Sequence, residues 1–386
     1  MRVLTFLHSF EPGGVERIAL RLVREWRGAG VDATLFMGRN DGAMRDDVGA
    51  GLAYHCPRQP KIGSGWWETI WMVLTLPGYI RKTQPDVLYC AGNTYVVVAV
   101  AMKLLLRRAC PRIVVKISND LDRADQPRAA RVAYRLWLRL QGAFIDRVVA
   151  MADPMVGEIN EHLRIPSERI DFIPDPALST AMIETLRSVG HGRCTPHQGR
   201  RFLAVGRLVP QKNVALMLRA FQRGAGPQDR LSIVGDGPER SKLETLAGRL
   251  GIDDRVTFCG YVADPTALFH GFDALLLSSN YEGVPAVVLE AIAANLMVIA
   301  TDCSRSMVTL LADGRLGVLV PPGDAAALAE AIAGEWPFRD EQLSLDQARR
   351  FTIERSAELY TVSFLRAVRS KNAALPLPNA AAPRAA

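Results

Sequence analysis

Twelve short apolar runs, each followed by a turn and most by a helical pattern, constrain this chain more than any other feature. In the first half they are VLTFLH (3–8), ATLFM (33–37), PDVLYC (85–90), RIVVKIS (112–118), DRVVAM (146–151) and DFIP (171–174). After a break they resume as RFLAVG (201–206), RLSIVG (230–235), RVTFCG (255–260), ALLLSS (274–279), VIAT (298–301) and GVLVP (317–321). The runs are continuous rather than alternating, so each strand should be covered on both faces. That calls for parallel sheets flanked by helices. The expected fold is therefore α/β, with two Rossmann-like halves at 1–173 and 200–352. Between them, 174–199 reads as a linker with a short helix and the Gly/His/Pro-rich VGHGRCTPHQG. The last residues, 371–386, are low in complexity and read as a disordered tail.

A length of 386 residues suits two domains of ordinary size. A mean hydropathy of +0.07 is too apolar for a disordered chain. No run approaches the ~20 uncharged apolar residues of a transmembrane helix. The opening MRVLTFLHSF enters a strand pattern directly and lacks a signal-peptide layout. The net charge of +7 is unevenly spread. Residues 51–150 hold 15 Lys/Arg against 6 Asp/Glu, a net of +9, while the rest hold 32 against 34. One basic surface on an otherwise neutral protein has this signature; nucleic-acid binding along the whole chain does not. No nucleic-acid module is recognisable, so no nucleic-acid partner is expected. The six cysteines are scattered, without C-x-x-C or zinc spacing, and read as reduced thiols of a cytosolic protein.

In doubly wound sheets ligands bind at the carboxyl ends of strands, where loops lead into helix N-termini. Four such loops carry informative chemistry. Gly13 and Gly14 follow the first strand and let a helix N-terminus approach an anion. Gly206-Arg207-Leu208-Val209-Pro210-Gln211-Lys212-Asn213 sets two cations five residues apart, which suits a diphosphate. Gly235-Asp236-Gly237-Pro238-Glu239 is a tight turn with Pro238 at a first helical position. The fourth loop carries Glu282, a Gly283-Val284-Pro285 turn exposing backbone N–H groups, and Glu290 about two turns into the next helix. Carboxylates accept from hydroxyls, so these loops together describe a site for a hydroxyl-rich phosphorylated molecule such as a nucleotide sugar.

With these pieces in order (GGVER, VGRLVPQKN, IVGDGPER, VTFCGYV, EGVPAVVLEA with its E-x7-E element, GVLVPPGD), the chain resembles the retaining GT-B glycosyltransferases of family 4 to about residue 365. The resemblance implies two Rossmann-like domains facing a cleft, with a C-terminal helix at 353–370 packing toward the first. It implies a UDP- or GDP-type nucleotide-diphosphate sugar as donor, a saccharide or lipid-linked acceptor, no cofactor and no metal. Arg207 and Lys212 would grip the donor diphosphate, and Glu282 would contact the transferred sugar with backbone amides of Gly283 to Val287. Glu290 would bind the ribose, Tyr261 and Val262 would border the base, and Gly14, beside Gly13, would approach from the other domain. Gly206 and Gly235 belong to the same donor loops. Catalysis would rest on Glu282, Arg207 and Lys212. Three departures stand out: Ser118-Asn119-Asp120 where many members carry a histidine, Cys303-Ser304-Arg305-Ser306-Met307 in place of Gly-Gly-x-x-Glu, and Asp175 where the I-P-N-P turn commonly has Asn.

On the acceptor side the candidates are His8, at a strand end, with Ser118, Asn119 and Asp120. His8 reads more readily as a satisfied core histidine than as a cleft residue. Asp120-Leu121-Asp122 spells D-x-D, but without the unrelated fold that uses it the reading is no metal. Arg128, Arg131, Arg135 and Arg139 recur at steps of three and four on one helix face, and Trp66, Trp67 and Trp71 cluster upstream. Such a surface suits an anionic bilayer, at the inner face of the cytoplasmic membrane; a helix packed with its arginines in water is the plain alternative. A nucleotide-sugar epimerase and a non-catalytic nucleotide-sugar-binding pathway partner are the competing functions.

Overall fold

The computed structural model describes residues 1–11, 13–60, 65–117, 121, 127–190, 198–262, 266–269, 271–336 and 340–369. Each apolar run becomes a strand. The first six are β1 (Arg2–Leu7), β2 (Asp32–Met37), β3 (Val87–Cys90), β4 (Arg112–Lys116), β5 (Arg147–Ala150) and β6 (Ile170–Phe172). The second six are β7 (Arg201–Val205), β8 (Arg230–Val234), β9 (Val256–Gly260), β10 (Ala274–Leu277), β11 (Met297–Thr301) and β12 (Gly317–Val320). Most strands stop one or more residues before their apolar run ends, because the last residues turn into the loops that carry polar chemistry.

Two six-stranded sheets result, ordered β2-β1-β3-β4-β5-β6 and β12-β11-β10-β7-β8-β9, with every strand pairing parallel. The direction of winding reverses between β1 and β3 in the first sheet and between β7 and β10 in the second. Those reversals open the crevices in which such sheets take ligands.

In the first half the helices are α1 (Gly14–Gly28), α2 (Glu68–Thr83), α3 (Val96–Leu106), α4 (Arg128–Phe144) and α5 (Pro154–Leu163). Right-handed crossovers put α1 on one sheet face and α2 to α5 side by side on the other. The next helix, α6 (Thr180–Gly190), lies in the stretch that reads as a linker and packs Ile183 and Leu186 into the second core. Then follow α7 (Val214–Gly224), α8 (Arg240–Arg249), α9 (Ala286–Ala293), α10 (Met307–Leu310), α11 (Ala325–Ala333), α12 (Glu341–Arg349) and α13 (Ile353–Arg369).

Helix α13 packs into the first core, not the second. Its Tyr360 and Phe364 meet Trp26 of α1 and Tyr89 of β3 edge-on, at centroid distances of 5.1 to 5.8 Å. Trp26 Nε1 donates to the Ala357 carbonyl at 3.2 Å. Asp171 receives Arg147 from both nitrogens, Ser363 at 2.6 Å and Arg366 at 2.9 Å. Burial pushes the Asp171 carboxyl up, but hydrogen bonds from Arg147 and Ser363 outweigh it and hold it below the usual range. The two chain crossings run side by side, Leu178 N–H to Phe351 O and Ile353 N–H to Leu178 O. The tail at 371–386 and the sequence 191–197 lie outside the described residues.

Candidate functional site

At the crevice between β7 and β10 the loops are held so tightly that glycine is obligatory at one point. Gly235 has φ +137°, and a Cβ there would stand 1.9 Å from the Gly206 carbonyl oxygen. Gly206 N–H donates to Val234 O and Leu208 N–H to Asp236 O, which binds the loops after β7 and β8 to each other. Asn213 takes a left-handed conformation (φ +45°) and caps α7 through its side chain, ending the loop at Lys212. Pro238 sits in the turn before α8 rather than at its first residue, so this turn belongs to the loop more than to the helix.

Lys212 Nζ contacts Glu282 Oε1 at 2.5 Å, and Ser279 Oγ donates to the same oxygen at 2.7 Å. Both members of the ion pair are largely enclosed, at 21% and 11% side-chain exposure, so the interaction is little screened. Arg207 is exposed and makes no ion pair among the described residues. The site therefore holds one neutralised pair and one spare cation. The loop after β10 continues through buried Gly283 and Pro285 into α9, which no side chain caps, so its first-turn N–H groups have no side-chain acceptor. Val287 is buried in that turn, and Val284 packs against the cores of both halves. Glu290 is half-buried on α9, one turn in rather than two, because the helix begins at Ala286. Tyr261 stands 61% exposed beyond β9, and Val262 packs beside the second core.

The crevice between β1 and β3 is built differently. Glu16 folds back over the start of α1, so that a Cβ on Gly13 would stand 2.0 Å from its Oε2. Tyr95 Oη donates to Glu16 Oε1 at 2.6 Å, and its ring stacks on His8 at 4.8 Å. Burial, and next the Glu16 charge, push the Tyr95 hydroxyl well above its ordinary value. Burial, with Arg39 adding, holds the His8 imidazole down to about 4, so it is neutral. His8 Nδ1 is buried without a hydrogen-bond partner. Around Gly14 a Cβ would meet nothing within 4 Å, so only Gly13 is confined by its neighbours.

Ser118, Asn119 and Asp120 lie outside the described residues, as do the side chains of Trp66 and Arg128. Trp67 and Trp71 are half-buried and pack edge-on at 5.6 Å, with Trp71 Nε1 donating to Gly38 O at 3.1 Å. They fasten α2 to the domain instead of standing free. Arg135 and Arg139 are exposed and Arg131 is half-buried. Among the described residues no group of three or more His, Cys, Asp or Glu is placed to hold a metal ion.

Sequence reasoning missed the residues that brace the site. Ser304 and Ser306 Oγ both donate to Gly283 O at 2.7 Å, and Cys303 O accepts from Glu282 N–H. The segment that departs from the family pattern thus anchors the Glu282 turn. Burial, then the Glu282 charge, push the Cys303 thiol up to about 12, which leaves it inert. Thr301 Oγ1 donates to Ser279 O, Ser278 Oγ to Lys212 O, and Asn213 Nδ2 to Asn280 Oδ1. An excess of hydroxyl and amide residues at 278–280 and 301–306 was the available signal.

Comparison with known proteins gives a consistent picture. The family model described as glycosyl transferases group 1 matches residues 199–334, and a glycosyl transferase 4-like domain matches 13–176. The lipopolysaccharide core biosynthesis glycosyltransferase LpsE of Rhizobium meliloti is 32% identical over 367 residues, 94% of this chain and 95% of that protein. An exopolysaccharide phosphotransferase of Streptomyces coelicolor is 32% identical over 199 residues, 51% of this chain but 20% of that longer protein. Among solved structures, the apo form of the lipopolysaccharide outer core galactosyltransferase WaaB superposes with a TM-score of 0.71 at 20% identity, covering 95% and 99% of the two chains. Anabaena HepE, in complex with UDP and glucose, does so at 0.65 and 20% identity, covering 97% and 100%. At these identities the structures speak for the shared fold, two Rossmann-like parallel sheets.

Proposed function

The chain belongs to the group 1 glycosyl transferases, and on that premise we propose that it moves a sugar from a nucleotide-diphosphate donor to a carbohydrate or lipid-linked acceptor, with retention and without a metal. The observation that carries this reading is the Lys212–Glu282 pair with Arg207 beside it, at the second sheet's reversal. The donor lies against the 200–352 half. Arg207 and Lys212 hold the diphosphate, and Glu282, with the amides that follow it, holds the sugar. Glu290 takes the ribose, and Tyr261 and Val262 border the base. A lysine carries three N–H donors, so Lys212 can keep Glu282 in place while contacting a phosphate oxygen.

In the step itself the bond between the anomeric carbon and the diphosphate oxygen breaks. An acceptor hydroxyl bonds to that carbon from the same face, and its proton passes to the departing phosphate. Negative charge grows on the leaving nucleotide, where two prepositioned cations stabilise it in the transition state more than in the ground state. The acceptor enters from the 1–173 half. The names of LpsE and WaaB point to envelope polysaccharide synthesis, and HepE with UDP and glucose to a uridine donor. A cytoplasmic site of action fits these acceptors; no helix among the described residues is long and apolar enough to cross a membrane.

The test is transfer by purified protein, donors being screened first by thermal shift with UDP-glucose, UDP-galactose and GDP-mannose. Lys212→Ala and Glu282→Ala are expected to abolish transfer while the protein stays folded. Undiminished transfer by both variants sinks the assignment, and acceptor-free conversion of the donor sugar reassigns it to an epimerase. Retention is read from the anomeric configuration of the product by NMR, and metal independence from unchanged turnover in EDTA.

A further inference from the structure

The chain passes between the two halves twice, and both passages are short. On the way out, Ile173 belongs to the first core, while Ala177 and Leu178 belong to the second. On the way back, Phe351 is in the second core and Ile353 in the first. Asp175 stands in the outward passage and is the residue that departs from the common Asn. Its carboxylate reaches back into the first half, where Oδ1 accepts from Lys116 Nζ at 2.7 Å. Lys116 ends β4 after three buried apolar residues, Ile113, Val114 and Val115. Its side chain is 2% exposed and that of Asp175 4%, so the pair is sealed from water.

This pair lies under α13 and ties both passages to the first sheet. Ser356 Oγ of α13 donates to Pro174 O at 2.9 Å, so the returning helix holds the residue before Asp175. Arg21 of α1 donates to Ala177 O at 3.3 Å, two residues after it. Burial first, with the Asp175 charge adding, pushes the enclosed Tyr89 and Tyr360 hydroxyls well above their ordinary values. The carboxylate therefore stands beside the aromatic cluster that α13 completes.

A buried ion pair adds little stability over apolar side chains of similar volume, because desolvating both charges offsets their attraction. What it adds is direction. Nζ must stay about 3 Å from the oxygen, whereas apolar surfaces tolerate sliding. Neither position can change alone, since Asn at 175 would leave Lys116 buried without this counter-charge. The departure at 175 and the lysine in β4 are thus one feature.

We propose that Lys116 and Asp175 are positioning residues for the transfer step, their ion pair fixing how the second half is set against the first. They are enclosed beneath α13 and touch neither donor nor acceptor. The donor is held by loops of the 200–352 half and the acceptor enters from the 1–173 half. The reacting atoms therefore meet only if the halves are placed to within about an ångström. This rests on the transfer reading for its effect on rate, but the setting of the halves is measurable with no substrate turning over.

The wild type is compared with Asp175→Asn, Lys116→Met and Lys116→Met/Asp175→Asn at a temperature where all are folded. Melting reads stability, small-angle scattering with and without UDP reads the setting of the halves, and steady-state kinetics read kcat and donor KM. Each single variant strands one buried charge and is expected to melt lower. The double variant is expected to recover its melting temperature, because neither charge remains. It should nevertheless show a broadened distance distribution and a kcat about 10- to 100-fold below wild type, with donor KM and UDP affinity unchanged. A pair that served stability alone would recover everything together. Wild-type scattering or wild-type kcat in the double variant overturns the proposal. So does a UDP affinity that falls with kcat, which would put the damage inside the donor half. If the wild type transfers to no acceptor, the transfer reading fails and scattering decides: a broadened distribution in the double variant supports the positioning role, and an unchanged one overturns it.

Discussion

The two sheet reversals place polar residues at equivalent points and treat them in opposite ways. Between β7 and β10, Arg207 is exposed and makes no ion pair among the described residues, and Lys212 forms an enclosed pair with Glu282. Between β1 and β3 the groups are turned on one another: Glu16 is held by Tyr95, Tyr95 is stacked on His8, and His8 is kept neutral by burial. One crevice keeps charge available for a ligand that brings charge of its own. The other presents a quiet surface, suited to a neutral sugar or to none. Similar strand topology thus yields one crevice with an available cation and one with its groups turned inward, through whether each loop leaves its ionic groups satisfied.

Four measurements would break or sharpen this contrast. Arg207→Ala should lower the transfer rate about 100- to 1000-fold, the usual loss when one donor to a developing anion is removed. Melting should not move, since nothing in the fold depends on that side chain; a lowered melting temperature would show Arg207 to be structural. In the quiet crevice the largest effect is on acid stability. The unfolded chain protonates this histidine near 6.5 and the folded one only near 4. The contribution of His8 is therefore complete above about pH 6.5 and is lost as pH falls toward 4, up to about 3 kcal/mol. His8→Gln should keep that stability, and denaturant midpoints compared at pH 7 and pH 4.5 would tell.

Ser304→Ala/Ser306→Ala leaves the Gly283 carbonyl without either hydroxyl donor, at a cost of about 2 kcal/mol. Transfer should fall along with stability, because the Glu282 turn loosens. Loss of stability with full transfer would show the turn to be preformed without them. The smallest structural effect belongs to Gly14→Ala, where a methyl meets no atom within 4 Å and stability should change by no more than about 0.5 kcal/mol. If transfer nevertheless drops, Gly14 faces the substrate, and the quiet half takes part in donor binding.

The strands were legible because a strand buried on both faces must be apolar throughout, and six residues suffice to show it. The donor-side loops were legible because Arg207, Lys212 and Glu282 lie in the segments that directly follow β7 and β10, and Glu290 lies on the helix that β10's loop opens. The bracing was not. Ser304 and Ser306 act on a carbonyl about twenty residues away, and Tyr95 on a carboxylate 79 residues away. Nothing local marks a serine that will meet a distant turn. The tryptophans show the same limit: composition announces an aromatic cluster, but only packing decides that Trp71 donates inward to Gly38. Exposed leucines on α3 and α4 likewise look like core residues until the neighbouring helices are in place.

Asp171 and the aromatic cluster around Trp26 have a consequence for the order in which the protein is made. The first half is synthesised first, yet Tyr360, Ser363, Phe364 and Arg366, which complete its core, are among the last residues described. Domains ordinarily fold as they emerge from the ribosome. Here Trp26 and Tyr89 wait, uncovered, while some 200 further residues are added and the second half forms. The nascent first half must survive that interval incomplete, so it stands to gain from a chaperone that shields the α1–β3 face until the closing helix arrives.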